Sequence, residues 1–308
     1  MKPKIDICIA SYKRPRQLDT LLRSLVAQET EGEFTFTIAV ADNDATRSAE
    51  STVRAFAAEG RDVVYGVEPE QSVSLARNRS LWLANGDLIA ITDDDLHADR
   101  RWLLHLVRAL TAHGADVVHG PVIPEFRPGT PAYIRDCPLF NRPSPPSGSR
   151  TGYIFTTANT LFRRSLIDGL ATPFDPRFGR TGGEDSAFFN GLAARGARMI
   201  WCREARVYGP VPDERANLGW ILRRRFRYGN LHPVTGVHAI DRGDVRSTST
   251  RAVKQSLAAA WHLVAGVFSH PHHEAGMKAL LAVLLDVAFL CGIVAHYGNF
   301  HYEEYRPR

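Results

Sequence analysis

Short apolar runs alternate with amphipathic stretches over the first 120 residues. "IDICIA" (5–10), "FTFTIAVAD" (34–42), "DVVYGVE" (62–68), "DLIAITD" (87–93) and "ADVVHGPV" (115–122) are rich in β-branched residues. Each is short and continuously apolar, which predicts buried strands. Between them the periodicity predicts helices from about Pro15 to Gln28, from the polar stretch after Asp42 to about Glu59, from Ser74 to Ala84 and from about Asp99 to His113. Strands alternating with helices predict an α/β fold whose mostly parallel central sheet is flanked by helices. "TGYIFTTANTLFRR" (151–164) and "RMIWCREARVYG" (198–209) predict further strands, and "GRTGGEDSAFFNGLAARGA" (179–197) a Gly-rich loop entering a helix. Residues 124–150 are proline-rich and predict a long irregular loop.

After about Asn217 the pattern changes to helix, basic residues and long apolar stretches. "WILRRRFRYGN" (220–230) interleaves arginines with Trp220, Phe226 and Tyr228. No nucleic-acid-binding module accompanies it, so an in-plane membrane helix or an arginine wall facing diphosphates is preferred, and no nucleic-acid partner is expected. "LAAAWHLVAGVF" (257–268) and "ALLAVLLDVAFLCGIVA" (279–295) follow. A spanning helix needs about 20 mostly apolar residues. A central aspartate such as Asp286 costs about 2.5–3.5 kcal/mol on insertion scales. The two stretches therefore predict a helical hairpin packed on the preceding domain or lying partly in a membrane interface.

Composition changes this picture little. The 308 residues are 44% hydrophobic and 23% charged, ordinary globular values. A net charge of +5 suits an anionic substrate or an anionic membrane surface. Cys8, Cys137, Cys202 and Cys291 are far apart, so neither a zinc site nor a disulfide framework is indicated. The start "MKPKIDICIA" carries charge inside its apolar run and does not resemble a signal peptide.

The chemistry lies at the strand ends. Ligands of such sheets bind outside the carboxyl ends of the strands. The clusters "SYKRPR", "DND" and "DDD" follow the first, second and fourth strands, so all belong on one rim. The turn after the first strand lacks the glycines of a dinucleotide site, and there is no GxxxxGK[ST] phosphate loop. Three consecutive aspartates repel one another unless they are solvated or neutralised by a cation. Asp93 and Asp95 are two apart and point the same way in strand geometry. Such a pair suits Mg²⁺ or Mn²⁺ carrying a diphosphate; the alternative is a solvated helix-capping loop. Asp42 could accept from a base N–H or simply hold a turn. Arg77 and Arg79 suit phosphates or carboxylates, or a solvated basic face. Glu184 and Asp185 open a helix, where acidic residues complement the dipole or serve as a general base.

The order "IDICIASYKRP", "VADND", "SLARN", "TDDD" and "GGED" resembles the family 2 glycosyltransferases of the GT-A fold over roughly residues 4–230. "RTGYIFTTANTLFRR", "GGEDSAFF", "PVPDERANLGW" and "RRRFRYGN" resemble the bacterial succinoglycan-type exopolysaccharide glucosyltransferases. The resemblance implies a GT-A catalytic domain at 1–215, with a nucleotide half at about 1–120 and an acceptor half at about 121–215. A helical, membrane-associated region follows at 216–308. It implies that Ser11, Tyr12 and Arg14 line the nucleotide pocket, with Asp94 among the donor-binding residues. Asp42 would read the uracil, and Arg77 would approach the nucleotide or its phosphates. Asp93 and Asp95 match the DxD motif, with Asp95 the direct ligand of Mg²⁺ or Mn²⁺. Asp185 would be the catalytic base, with Glu184, Gly183 and Arg224 near the acceptor or diphosphate.

The implied reaction is transfer of a hexose, glucose favoured, with inversion. It runs from a UDP-sugar to a lipid-linked oligosaccharide at the cytoplasmic face of the inner membrane. One departure stands out: where many relatives carry the histidine of a "VxH" segment, "RVYGPVPD" has Tyr208. His232 and the arginines of "RRRFRYG" are candidates for its role. A sugar-nucleotide pyrophosphorylase would need a Gly-rich loop after the first strand. The same residues would also suit a different donor or acceptor, or an inactive module that scaffolds a membrane assembly.

Overall fold

The computed structural model describes residues 2–151, 156–235 and 273–305. Two compact units emerge: Met1–Ile123 with Ser144–Pro210 and Glu303–Arg308, and Pro124–Pro143 with Val211–Tyr302.

In the first unit β1 (Lys4–Ser11), β2 (Thr35–Asp42), β3 (Val63–Val67) and β4 (Leu88–Thr92) alternate with α1 (Pro15–Val26), α2 (Glu50–Ala58) and α3 (Val73–Leu83). The chain continues through β5 (His97–Ala98), α4 (Trp102–Ala112), β6 (Val117–His119) and β7 (Val122–Glu125). After α5 (Ala132–Arg135) come β8 (Asn159–Arg163), α6 (Glu184–Ala194), β9 (Met199–Trp201) and β10 (Val207–Pro210). The main sheet has seven strands in the order β3-β2-β1-β4-β8-β6-β9. All recorded pairings are parallel except those of β8, which runs antiparallel to β4 and β6. A three-stranded sheet of order β5-β10-β7 accompanies it.

Both faces of the sheet are covered, which explains the continuous apolar strand sequences. Ile5, Ile7 and Ile9 join one core layer with Leu18, Leu21, Leu22 and Leu25 of α1 and Trp102 and Leu106 of α4. Cys8, Ala39, Ile89 and Ile91 join the other, with Leu81 of α3 and Phe188, Phe189 and Leu192 of α6. Alternate residues of each strand thus serve opposite layers. Pro15 begins α1, where its fixed φ is favourable and its missing N–H costs nothing. Ser72 caps α3, its hydroxyl accepting from the Leu75 N–H at 3.4 Å. The N-cap of α6 is Gly183 at φ +95°, a conformation that glycine takes without strain.

The fold differs from the expectations in detail. The stretch 198–209 breaks into β9 and β10, which join different sheets, and β5 and β7 are additional. The strand expected at 151–164 is β8, Asn159–Arg163. The proline-rich stretch carries part of β7 and the short helix α5. Its residues 124–143 group with Val211–Tyr302, whereas the catalytic domain is expected at 1–215. "LAAAWHLVAGVF" (257–268), and with it the expected hairpin, lies outside the described residues.

The second unit contains α5, α7 (Leu218–Leu231) and α8 (His273–Tyr297). Ile134, Cys137, Ile221, Leu281 and Leu285 form its core. Helices α7 and α8 approach closely at two glycines. A Cβ on Gly229 would overlap the Phe289 carbonyl, and one on Gly292 the Phe226 carbonyl. Asp286 faces Arg225 at 3.7 Å, and the Arg225 guanidinium lies 4.5 Å from the Phe289 ring centroid. The segment Gly276–Tyr297 is long and apolar enough to cross a membrane by length and composition, and 18% of its most apolar window is buried.

Candidate active site

The rim expected from the sequence is present at the carboxyl ends of β1, β2 and β4. The Asp triplet lies in the turn after β4, and its side chains divide there. Asp94 turns inward and is 4% exposed, while the side chains of Asp93 and Asp95 are 40% and 28% exposed. Asp94 organises the rim from beneath. Its Oδ2 accepts from the Ser11 hydroxyl at 2.9 Å and the Tyr12 N–H at 3.4 Å. Its Oδ1 accepts from Arg14 Nη1 at 2.9 Å, and the same nitrogen reaches Asp95 Oδ2 at 2.9 Å. Burial, with the Asp95 charge, pushes the Asp94 carboxyl up to about 6 despite Arg14 and Ser11. Ser11, Tyr12 and Arg14 are therefore brought together as expected. Asp94 is the post that holds them rather than a group facing a ligand.

Asp93 is open on one side but ringed by protein. That burial raises its pKa, and the neighbouring charges of Asp95 and Asp185 add to the rise against the opposing Arg77. The carboxylates after β4 and the one at the start of α6 thus share one electrostatic neighbourhood, although 90 residues separate Asp95 from Asp185 in the chain. Asp185 sits in the first turn of α6, and its Oδ1 accepts from the Ser186 N–H at 2.7 Å. Glu184 is 4% exposed and its Oε1 pairs with Arg77 Nη1. Its Oε2 is buried with no hydrogen-bond partner among the described residues, as are the hydroxyls of Ser74, Thr92 and Thr157.

Asp42 is completely buried. It accepts from the Ala49 N–H at 2.7 Å, the Asp44 N–H at 3.1 Å and the Tyr65 hydroxyl at 2.9 Å. A carboxylate has about four lone-pair positions, so a base could take only the one these leave. The main work of Asp42 in this arrangement is to close the β2–α2 turn. Tyr208 stacks on His97 of β5, with ring centroids 5.2 Å apart and planes 18° apart. The imidazole stacked at the departure from the "VxH" pattern is thus His97, which the sequence pattern did not single out; its position two residues after Asp95 was the available signal. Arg224 and His232 belong to the second unit. There the Arg224 Nε–H donates to the Tyr228 hydroxyl at 3.2 Å, and its guanidinium lies 5.8 Å from the Trp220 ring centroid.

Among the described residues no group of three His, Cys, Asp or Glu side chains forms a closed metal cage. The donor set fits a hard divalent cation of another kind. Asp93 and Asp95 offer carboxylate oxygens on the open side, and the like charges around Asp93 would be relieved by a cation. Mg²⁺ characteristically takes one or two carboxylates and completes its shell from phosphates and water.

The chain as a whole is similar to known proteins. The model of "Glycosyl transferase family 2" matches residues 6–170. The chain is 37% identical over 231 residues to the succinoglycan biosynthesis protein ExoM of Rhizobium meliloti, with 74% of each chain covered. It is 24% identical over 315 residues to glycosyltransferase AglE of Haloferax volcanii, covering 97% of this chain and 96% of that one. Among solved structures, mannosyltransferase PcManGT of Pyrobaculum calidifontis, in complex with GDP-Man and Mn²⁺, aligns with a TM-score of 0.63 at 18% identity. That alignment covers 97% of this chain and 88% of PcManGT. S. aureus TarS 1–349 in complex with UDP-GlcNAc aligns with a TM-score of 0.52 at 14% identity, covering 97% and 93%. Against the longer TarS chain the match spans 39% of that protein and 72% of this one. These structural likenesses establish the shared GT-A fold.

Proposed function

The chain belongs to glycosyl transferase family 2, and from that premise we propose that it moves a hexose, glucose favoured, from a UDP-sugar to a lipid-linked saccharide with inversion, in bacterial exopolysaccharide assembly. The observation that carries this reading is the shared neighbourhood of Asp93 and Asp95, after the parallel strand β4, with Asp185 at the start of α6. The ExoM likeness supports the exopolysaccharide context. The UDP-GlcNAc complex of TarS supports a UDP donor. The Mn²⁺ complex of PcManGT supports Mg²⁺ or Mn²⁺ as cofactor, held here by Asp95 and Asp93.

Each residue then has one task. Ser11, Tyr12 and Arg14, steadied by Asp94, form the wall against which the nucleotide lies. The divalent cation, when bound, offsets the negative charge that builds on the leaving diphosphate. Asp185 accepts the proton of the acceptor hydroxyl through its carboxylate. The hydroxyl oxygen forms its bond to the anomeric carbon from the face opposite the diphosphate, the old carbon–oxygen bond breaks, and UDP leaves with that electron pair. An α-linked donor thus gives a β-linked product. The charge of the second unit and the exposed apolar face of α8 support peripheral seating on the cytoplasmic face of the inner membrane, where a lipid-linked acceptor is presented.

Calorimetric titration of UDP, with and without Mn²⁺, into the wild-type chain and Asp95→Ala tests the donor site. Binding that needs Mn²⁺ and disappears in Asp95→Ala is the expected result. Absence of UDP binding under either condition overturns it and favours an inactive scaffold. Retention of the anomeric configuration in the product, read by NMR, would overturn the inverting mechanism.

A further inference from the structure

The resemblance brings Arg77 to the nucleotide or its phosphates, but in the fold its guanidinium already faces two carboxylates. Its Nη2 donates to Asp93 Oδ1 at 3.3 Å, and its Nη1 pairs with Glu184 Oε1. The Arg77 side chain is only 11% exposed. We infer that Arg77 is a positioning residue, a brace that joins the carboxylate after β4 to the first turn of α6 and so sets Asp93 and Asp185 in one arrangement. The inference rests on the reading of those two aspartates given above.

The brace is itself fixed from behind. The Arg77 guanidinium carbon lies 5.8 Å from the ring centroid of Phe174. The next residue, Asn78, is completely buried and exchanges two hydrogen bonds with the Phe174 backbone. Its amide donates to the Phe174 carbonyl at 2.7 Å, and its carbonyl oxygen accepts from the Phe174 N–H at 2.9 Å. Phe174 in turn packs on Phe188 of α6, with ring centroids 4.7 Å apart. Helix α3, Phe174 and α6 are thereby locked together around Arg77. A guanidinium suits this task because its planar fork can address two carboxylates at once. A lysine ammonium is a single point of charge and reaches both only by compromise.

Five proteins test the brace: wild type, Arg77→Lys, Arg77→Gln, Glu184→Gln and the double variant Arg77→Gln/Glu184→Gln. Two measurements are made on each: UDP affinity in Mn²⁺ together with kcat and donor KM, and chemical denaturation without metal. Misplacing reacting groups by about 1 Å costs about 100-fold in rate. Arg77→Lys is therefore expected to lose kcat by about that factor, while UDP affinity in Mn²⁺ and donor KM, for which Asp95 remains the direct metal ligand, change far less. In denaturation, Arg77→Gln alone is expected to be less stable than the double variant, because it leaves the Glu184 charge buried and unpaired.

Loss of UDP affinity in Arg77→Lys by as large a factor as kcat would place Arg77 in donor binding rather than in positioning the reacting groups and overturn the inference. A wild-type kcat in that variant would overturn it as well. Failure of the wild-type chain to bind UDP would overturn the donor reading instead. The denaturation cycle then decides the brace alone: strong non-additivity supports it, and simple additivity overturns it.

Discussion

The Ser11 hydroxyl donates to Asp94 Oδ2 at 2.9 Å and so ties the end of β1 to the loop after β4. With Arg14 on the other oxygen of Asp94, this one carboxylate assembles residues from two strand ends. The middle aspartate of the triplet is thus a scaffold for its neighbours. Asp94→Ala leaves the Ser11 hydroxyl and the Tyr12 N–H without their acceptor, a loss of about 1–3 kcal/mol for buried groups. Asp94→Asn keeps the shape and removes a charge that burial already disfavours, so it is expected to cost less. Urea denaturation should rank the stabilities wild type, Asn, Ala, and UDP affinity should fall in the same order. An alanine variant as stable as wild type would contradict the scaffold role.

His119 gives a pH signature. It is completely buried at the end of β6, with Nδ1 2.8 Å from Thr160 Oγ1. Thr160 commits its own hydroxyl hydrogen to the Thr156 carbonyl at 2.6 Å, so His119 is the donor of the pair. Burial pushes the imidazole down to about 3. In the unfolded chain it takes up a proton below about pH 6.5. The unfolded state therefore binds more protons between those values. The stability His119 confers is complete above about pH 6.5 and is lost as pH falls, by about 1.4 kcal/mol per pH unit. Urea denaturation of wild type and His119→Gln between about pH 7 and pH 5 should show that slope only in the wild type. Parallel slopes would contradict it.

Asp286, the one charge in the apolar stretch 279–295 of α8, faces Arg225 of α7. The outward positions Leu280, Val287 and Val294 of α8, spaced by seven, are 39%, 47% and 71% exposed. An exposed apolar stripe of this kind marks an interaction surface, and the proposed seating puts it against lipid. Flotation with anionic vesicles should recover the wild-type chain, and Val287→Asp/Val294→Asp should remain with the soluble fraction. Equal flotation of both proteins would place the membrane contact elsewhere.

Much of this was legible in the sequence because burial on both faces writes a parallel strand as an unbroken apolar run, as in "DICIA" and "LIAIT". Polar clusters directly after such runs have to stand on one rim, so Ser11, Asp93 and Asp95 could be named as neighbours without coordinates. The "GGED" segment announced a carboxylate at a helix start, since paired glycines permit the turn that Gly183 makes at φ +95°.

Tertiary structure alone decided which partner each charged group takes. Arg77 is expected at phosphates from its chemistry, yet it is spent on Asp93 and Glu184 because α6 packs beside α3 through Phe174 and Phe188. Asp42 is drawn inward by Ala49 and Tyr65, and His97 comes to lie on Tyr208 through a two-residue strand with no apolar pattern to betray it. Hydrophobic periodicity is a local property of the chain and predicts which faces are buried. The choice of ion-pair and stacking partners depends on which distant segments those buried faces bring together, and no local pattern records it.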